Sequence, residues 1–138
     1  RLSLVGSEMC IRDRPYVATC VATEPQEIYS TFSEAKEIRG SKFIHILSPC
    51  APGWRFASSR TTEMGDLAVK TGFFLLWKQV DGELIVNKRT QKYLDKSKRL
   101  PIEEYLKEQG RFRKLTKEQI NDLQGWVDRR CEKLARSI

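Results

Sequence analysis

An α/β chain, with a mostly parallel sheet flanked by helices, an added β-hairpin and a helical tail, is what this sequence predicts. Three observations carry that expectation. Two β-branched, apolar runs, "YVATCVA" (16–22) and "KFIHIL" (42–47), bracket a stretch whose apolar residues recur at helical spacing. Two further apolar runs, "FFLLWKQV" (73–80) and "ELIVNKR" (83–89), flank Asp81-Gly82, a pair that suits a tight turn needing positive φ at both positions. Beyond residue 100 the apolar spacing becomes helical again, behind residues that favour helix starts.

In chain order, 16–22 suits a strand buried on both faces, as in parallel sheets. Thr23 with Gln26 forms a capping box pattern that opens a helix, with Ile28, Phe32, Ala35 and Ile38 inward and Gly40 at its close. Residues 42–47 then form the second strand of a right-handed βαβ crossover. A helix follows from about Ser59 to Thr71, with Met64, Leu67 and Ala68 inward. After the hairpin, "KRTQKYLDKSKR" (88–99) reads as a basic linker, Pro101–Gln109 as a short helix closed by Gly110, and 116 onward as a long helix. That last helix starts from a Thr116–Gln119 capping box, with Leu115 stapled onto Ile120, and buries Leu123, Val127, Cys131 and Leu134. The organisation expected is a leader foreign to the fold at 1–14, an α/β domain at 15–88, and a basic linker with a helical tail at 89–138. The leader "RLSLVGSEMCIRDR" resembles a translated sequencing-adaptor tail.

With 138 residues, 31% of them charged and 40% hydrophobic, the chain can bury a single core. No apolar run approaches the roughly 18 residues of a membrane-spanning helix, so no membrane is expected and the cytoplasm is the default location. The net charge of +7 lies mostly in the second half, where 16 basic and 10 acidic residues follow 9 and 8 in residues 1–72. The 88–99 stretch alone carries six basic residues and one acid, which would attract an acidic partner or a polyanion. A small basic nucleic-acid-binding module is therefore the rival reading, although no base-reading element accompanies the charge and nucleic acid is not the expected partner.

Ligands of open α/β sheets collect outside the carboxyl ends of the strands. "SPCAPGW" (48–54) occupies that place after the second strand, with prolines on both sides of Cys50 and a glycine that permits close approach. From the residues alone Cys50 is either a small buried hydrophobe or a ligand. The cysteines at 10, 20, 50 and 131 show no metal-site spacing, so a self-contained metal centre is not expected. His45, the single histidine, suits a packed core position better than a catalytic base. Trp54, Trp77 and Trp126 suit core or interface packing. A thiol-redox role for Cys50 lacks a resolving cysteine nearby.

The segments "PYVATCVATEPQEIYSTFSEAKEIRGSKFIHILSPCAPGW", "LAVKTGFFLLWKQVDGELIVNKR" and "PIEEYLKEQGRFRKLTKEQINDLQGWVDRR", in this order and spacing, resemble the C-terminal part of the β subunit of pyruvate:ferredoxin oxidoreductase, in the 2-oxoacid:ferredoxin oxidoreductase family. The resemblance implies the C-terminal portion of a thiamine-diphosphate-binding fold. It implies an enzyme that decarboxylates pyruvate oxidatively to acetyl-CoA and sends electrons through [4Fe–4S] clusters to ferredoxin. The implied cofactors are thiamine diphosphate, Mg2+ and a [4Fe–4S] cluster; the implied partners are other oxidoreductase subunits, ferredoxin, pyruvate and coenzyme A. Family members hold the diphosphate through magnesium with a Gly-Asp-Gly segment and an Asn-containing loop, and this sequence contains neither. They hold the cluster nearest the thiamine with three early cysteines and one late one, and Cys50 matches the late one. No catalytic or thiamine-contacting residue is assigned here. Cys20 and Cys131 depart from the pattern and read as core packing. The chain by itself is expected to be an inactive fragment, and Lys96, Lys98 and Arg99 are expected to offer charge to ferredoxin or to another subunit.

Overall fold

The computed structural model describes residues 15–138. Its elements are β1 (Tyr16–Val21), α1 (Pro25–Glu37), β2 (Lys42–Leu47), a short α2 (Ala51–Trp54), α3 (Thr61–Lys70), β3 (Trp77–Val80), β4 (Glu83–Val86), α4 (Lys88–Leu94), α5 (Ile102–Leu106) and α6 (Lys117–Ala135). The expected leader at 1–14 lies outside the described residues.

The four strands form one mixed sheet in the order β2-β1-β3-β4. β1 pairs in parallel with β2, Tyr16 opposite Lys42 and Val21 opposite Leu47, so the βαβ unit is present. The hairpin adds β3 antiparallel to β1 and β4 antiparallel to β3. Asp81 and Gly82 both have positive φ, as the turn requires.

Every residue of β1 is buried, because both faces of the sheet are covered. On one face Val17, Val21, Phe43 and Leu47 join the main core with Ala68, Val69, Leu76, Tyr105, Val127 and Leu134 from the later helices. On the other, Tyr16, Ala18 and Ile44 pack under Ala35 and Ile38. α6 closes the main core against α4 and α5.

The expected strand over 73–80 is shorter, beginning at Trp77. Thr19 explains the difference. Its hydroxyl donates to the Leu75 carbonyl at 2.7 Å and accepts from the Trp77 N–H at 3.0 Å, replacing the ladder bonds that a longer strand would make with β1. The start of α1 also differs from expectation. Glu24 stands at the N-cap position without a side-chain capping bond, Pro25 takes the first helical turn, and the Thr23–Gln26 capping box does not form. Thr23 instead packs on Gly65 of α3, where a Cβ would lie 2.3 Å from its Oγ1. On α1, Ala35 and Ile38 face the sheet as expected, but Thr31 is buried in place of Phe32, which is 50% exposed.

The basic stretch is part of the fold rather than a linker. Residues 88–94 are the helix α4, started by Asn87, whose side chain accepts the Arg89 N–H. Arg89 pairs with Glu24 and Asp66. Arg99 is buried, donating to the Tyr93 and Leu94 carbonyls at the end of α4 and, at 2.8 Å, to Asp128 of α6. The capping box of α6 is complete in both directions. Among the described residues no helix is long and apolar enough to cross a membrane.

Candidate functional site

The site builds outward from the end of β2. Ser48-Pro49 stops the strand, since proline cannot extend the ladder, and Cys50 follows with extended backbone (φ −114, ψ 97) as the residue that caps α2. The Cys50 carbonyl accepts the Trp54 N–H at 2.8 Å, so the loop is wound tightly on itself. Cys50 is a free thiol on an exposed residue. A Cβ at Gly53 would lie 3.2 Å from its Sγ, so the glycine leaves the sulfur its room.

The loop is then braced from far along the chain. Arg55 closes it with left-handed backbone (φ 60), an arrangement that surrounding contacts must hold for a non-glycine residue. Its carbonyl accepts the Gly110 N–H at 2.9 Å. Gly110 is expected to close a helix over Pro101–Gln109, but that helix ends at Leu106 and Gly110 begins a 3-10 turn, Gly110–Phe112. The reason for glycine is close approach: a Cβ there would stand 2.8 Å from Arg55 Cβ. Trp54 packs edge-on to Tyr105, and the Arg111 guanidinium lies 4.1 Å above the Trp54 ring.

The other residues considered for chemistry lie elsewhere. Cys20 is buried in β1, with its S–H directed at Thr31 Oγ1, and burial pushes its thiol up. Burial likewise raises the Cys131 thiol on α6. Both are packing residues, as expected. His45 is half-buried on β2, edge-on to Phe74, and its Nδ1 is buried without a hydrogen-bond partner. Trp77 is buried, Trp54 half-buried, and Trp126 exposed beside Phe73. Cys50 is not joined by other ligands here: among the described residues no three His, Cys, Asp or Glu side chains come together as a metal site. The donor set therefore fits one corner of a shared cluster and does not fit a complete one. For thiamine diphosphate and magnesium the chain offers no Gly-Asp-Gly segment, and no fit is found.

A separate groove of about 880 Å³ runs between α1 and the hairpin, lined by Glu24, Glu27, Glu34, Lys78 and Asn87. Its carboxylates have internal partners. Lys78 donates to Glu34 at 2.6 Å and the Tyr16 hydroxyl donates to it at 2.9 Å; Glu27 meets Asn87, and Glu24 meets Arg89.

Arg111 and Gly110 were not singled out as site residues from the sequence. The signal available was the Gly-Arg-Phe run itself, whose partner loop lies more than fifty positions earlier in the chain.

No family model matches the chain. Individual relatives do. Over 120 residues, 87% of this chain, it is 41% identical to the pyruvate synthase subunit PorB of Methanothermobacter marburgensis and 39% identical to that of Methanocaldococcus jannaschii. It is 39% identical to the ketoisovalerate oxidoreductase subunit VorB of Pyrococcus abyssi over the same share. The chain spans 37–40% of the length of these relatives. By this similarity, and by an α/β fold in keeping with it, the chain belongs with the PorB and VorB subunits of 2-oxoacid:ferredoxin oxidoreductases, of which it represents a C-terminal part.

Proposed function

We propose that this chain supplies the late cysteine ligand, Cys50, to the [4Fe–4S] cluster nearest thiamine diphosphate in a pyruvate:ferredoxin oxidoreductase. The observation that carries the reading is an exposed free thiol on a braced loop outside the carboxyl end of a parallel strand, in a chain 41% identical to a pyruvate synthase subunit. Iron–sulfur clusters need thiolates, usually about four, and one is at hand, so the other ligands come from the rest of the subunit. When bound, the cluster takes up and passes on single electrons. This chain's part is to hold one thiolate at a fixed point on the sheet edge. Thiamine diphosphate and Mg2+ belong to the whole enzyme, as do coenzyme A, ferredoxin and the partner subunits, and the chain by itself is inactive. Its place is the cytoplasm.

The substrate proposed is pyruvate, and the test is the full-length subunit assembled with its partners. Coenzyme A-dependent ferredoxin reduction with pyruvate should exceed that with the branched 2-oxoisovalerate by at least about tenfold in kcat/KM, since extra methyl groups must be accommodated. The reverse preference would move the chain to the ketoisovalerate branch, and no activity with either 2-oxoacid would overturn the reading. Nothing in the geometry favours the nucleic-acid alternative, because Arg89 and Arg99 of the basic stretch are engaged in internal pairs.

A further inference from the structure

Arg111 carries an unassigned role. Its guanidinium lies 4.1 Å above the Trp54 ring and 4.4 Å above the Phe112 ring, and its Nε donates to Gln109 Oε1 at 2.8 Å. Gln109 is itself buried, with its amide donating to the Tyr105 carbonyl at 2.7 Å. Tyr105 lies beside the same guanidinium and packs edge-on to Trp54, so the guanidinium, Trp54, Tyr105 and Gln109 form one contact set. None of the ion pairs among the described residues includes Arg111, so a carboxylate does not account for its position. Its contacts run instead to the ring of Trp54, the residue whose backbone N–H donates to the Cys50 carbonyl. One residue earlier, Gly110 bonds the strained Arg55 at the other end of the same loop. The far end of the 50–55 loop, at Trp54 and Arg55, is thus held by one short stretch of the helical tail, and the Trp54 N–H ties that end back to Cys50.

We infer that Arg111 is a positioning residue for the Cys50 thiolate, clamping Trp54 and thereby fixing the loop that aims Cys50 Sγ. This rests on the reading of Cys50 as a cluster ligand. Groups that orient a ligand without touching the metal typically change metal retention by 10–100-fold. Lysine keeps the cation but loses the flat stacking surface, so it should restore only part of the effect.

The test uses the full-length enzyme assembled with its partner subunits. Readouts are the rate of iron loss to a chelator and the low-temperature EPR spectrum of the reduced cluster. Arg111→Ala should lose the cluster nearest thiamine diphosphate about tenfold faster than wild type, with a broadened spectrum, and Arg111→Lys should fall between. A role confined to stability would lower the melting temperature and leave spectrum and loss rate of the folded enzyme unchanged; that result overturns the inference. Should Arg111→Ala fail to assemble, Arg111→Lys decides by the same two readouts. Cys50→Ala separates the two layers. If it removes the signal while both Arg111 variants behave as wild type, positioning by Arg111 is wrong and the ligand reading stands. If Cys50→Ala keeps the full signal, the ligand reading fails and takes the inference with it.

Discussion

Asp128 on α6 accepts from three side chains, Lys96, Gln124 and Arg99, at 2.8 to 2.9 Å. Burial alone would raise its carboxyl, but these three donors outweigh it and hold the group below the usual aspartate range. The folded state therefore binds this proton less readily than the unfolded chain, whose aspartate titrates near ~3.9. Its stabilising contribution is fully present above that value and is lost as pH falls through the lower, folded value. Asp128→Asn should cost about 2–3 kcal/mol at neutral pH, because Arg99 stays buried with a weaker acceptor. The variant should also flatten the stability profile below about pH 4, and thermal unfolding from about pH 7 to about pH 3 would show it. An equal slope in variant and wild type would contradict the assignment. Arg99 itself illustrates what a single sequence hides: in a run of six basic residues it is indistinguishable from its neighbours, and its burial depends on an aspartate 29 positions later.

At the scale of elements, the features legible in the sequence were those fixed by neighbours. Asp81-Gly82 dictates its own turn, and Thr116–Gln119 caps α6 with contacts three residues apart. Thr23–Gln26 carried the same pattern and failed. There Pro25 set the helix start and Gly65, 42 positions away, offered Thr23 a packing site. β3 lost its first half to the Thr19 hydroxyl, again a distant group. The 88–99 stretch looked like a linker because α4 meets the rest of the fold through Arg89 and the buried Thr90 hydroxyl as well as Tyr93 and Leu94, and periodicity of apolar residues registers only the last two. With Arg89 and Arg99 internal, the charge left for an acidic ferredoxin is that of the exposed Lys88, Lys92, Lys96 and Lys98, the last two each already near an aspartate. Lys96→Glu with Lys98→Glu in the assembled enzyme should slow ferredoxin reduction several-fold at low salt, with the difference shrinking as salt is added. Equal rates at low salt would exclude docking at Lys96 and Lys98.

At the scale of the whole molecule, the α/β class and the place of Cys50 outside β2 were readable before the structure, while the brace around it was not. Gly110 and Arg111 reach the loop only because α5 folds the tail back over the end of the sheet, a contact that chain order does not announce. The chain spans about 40% of the pyruvate synthase subunits it resembles, and its described residues bring one exposed thiol to the sheet edge and assemble no complete metal site. On the proposed reading, this single thiol on a braced loop is one part of a centre completed by the remainder of the subunit. The direct measurement is EPR and iron content of the dithionite-reduced full-length enzyme carrying Cys50→Ala. The account predicts loss of one [4Fe–4S] spectrum and of pyruvate-dependent ferredoxin reduction; wild-type iron content with an unchanged spectrum would contradict it.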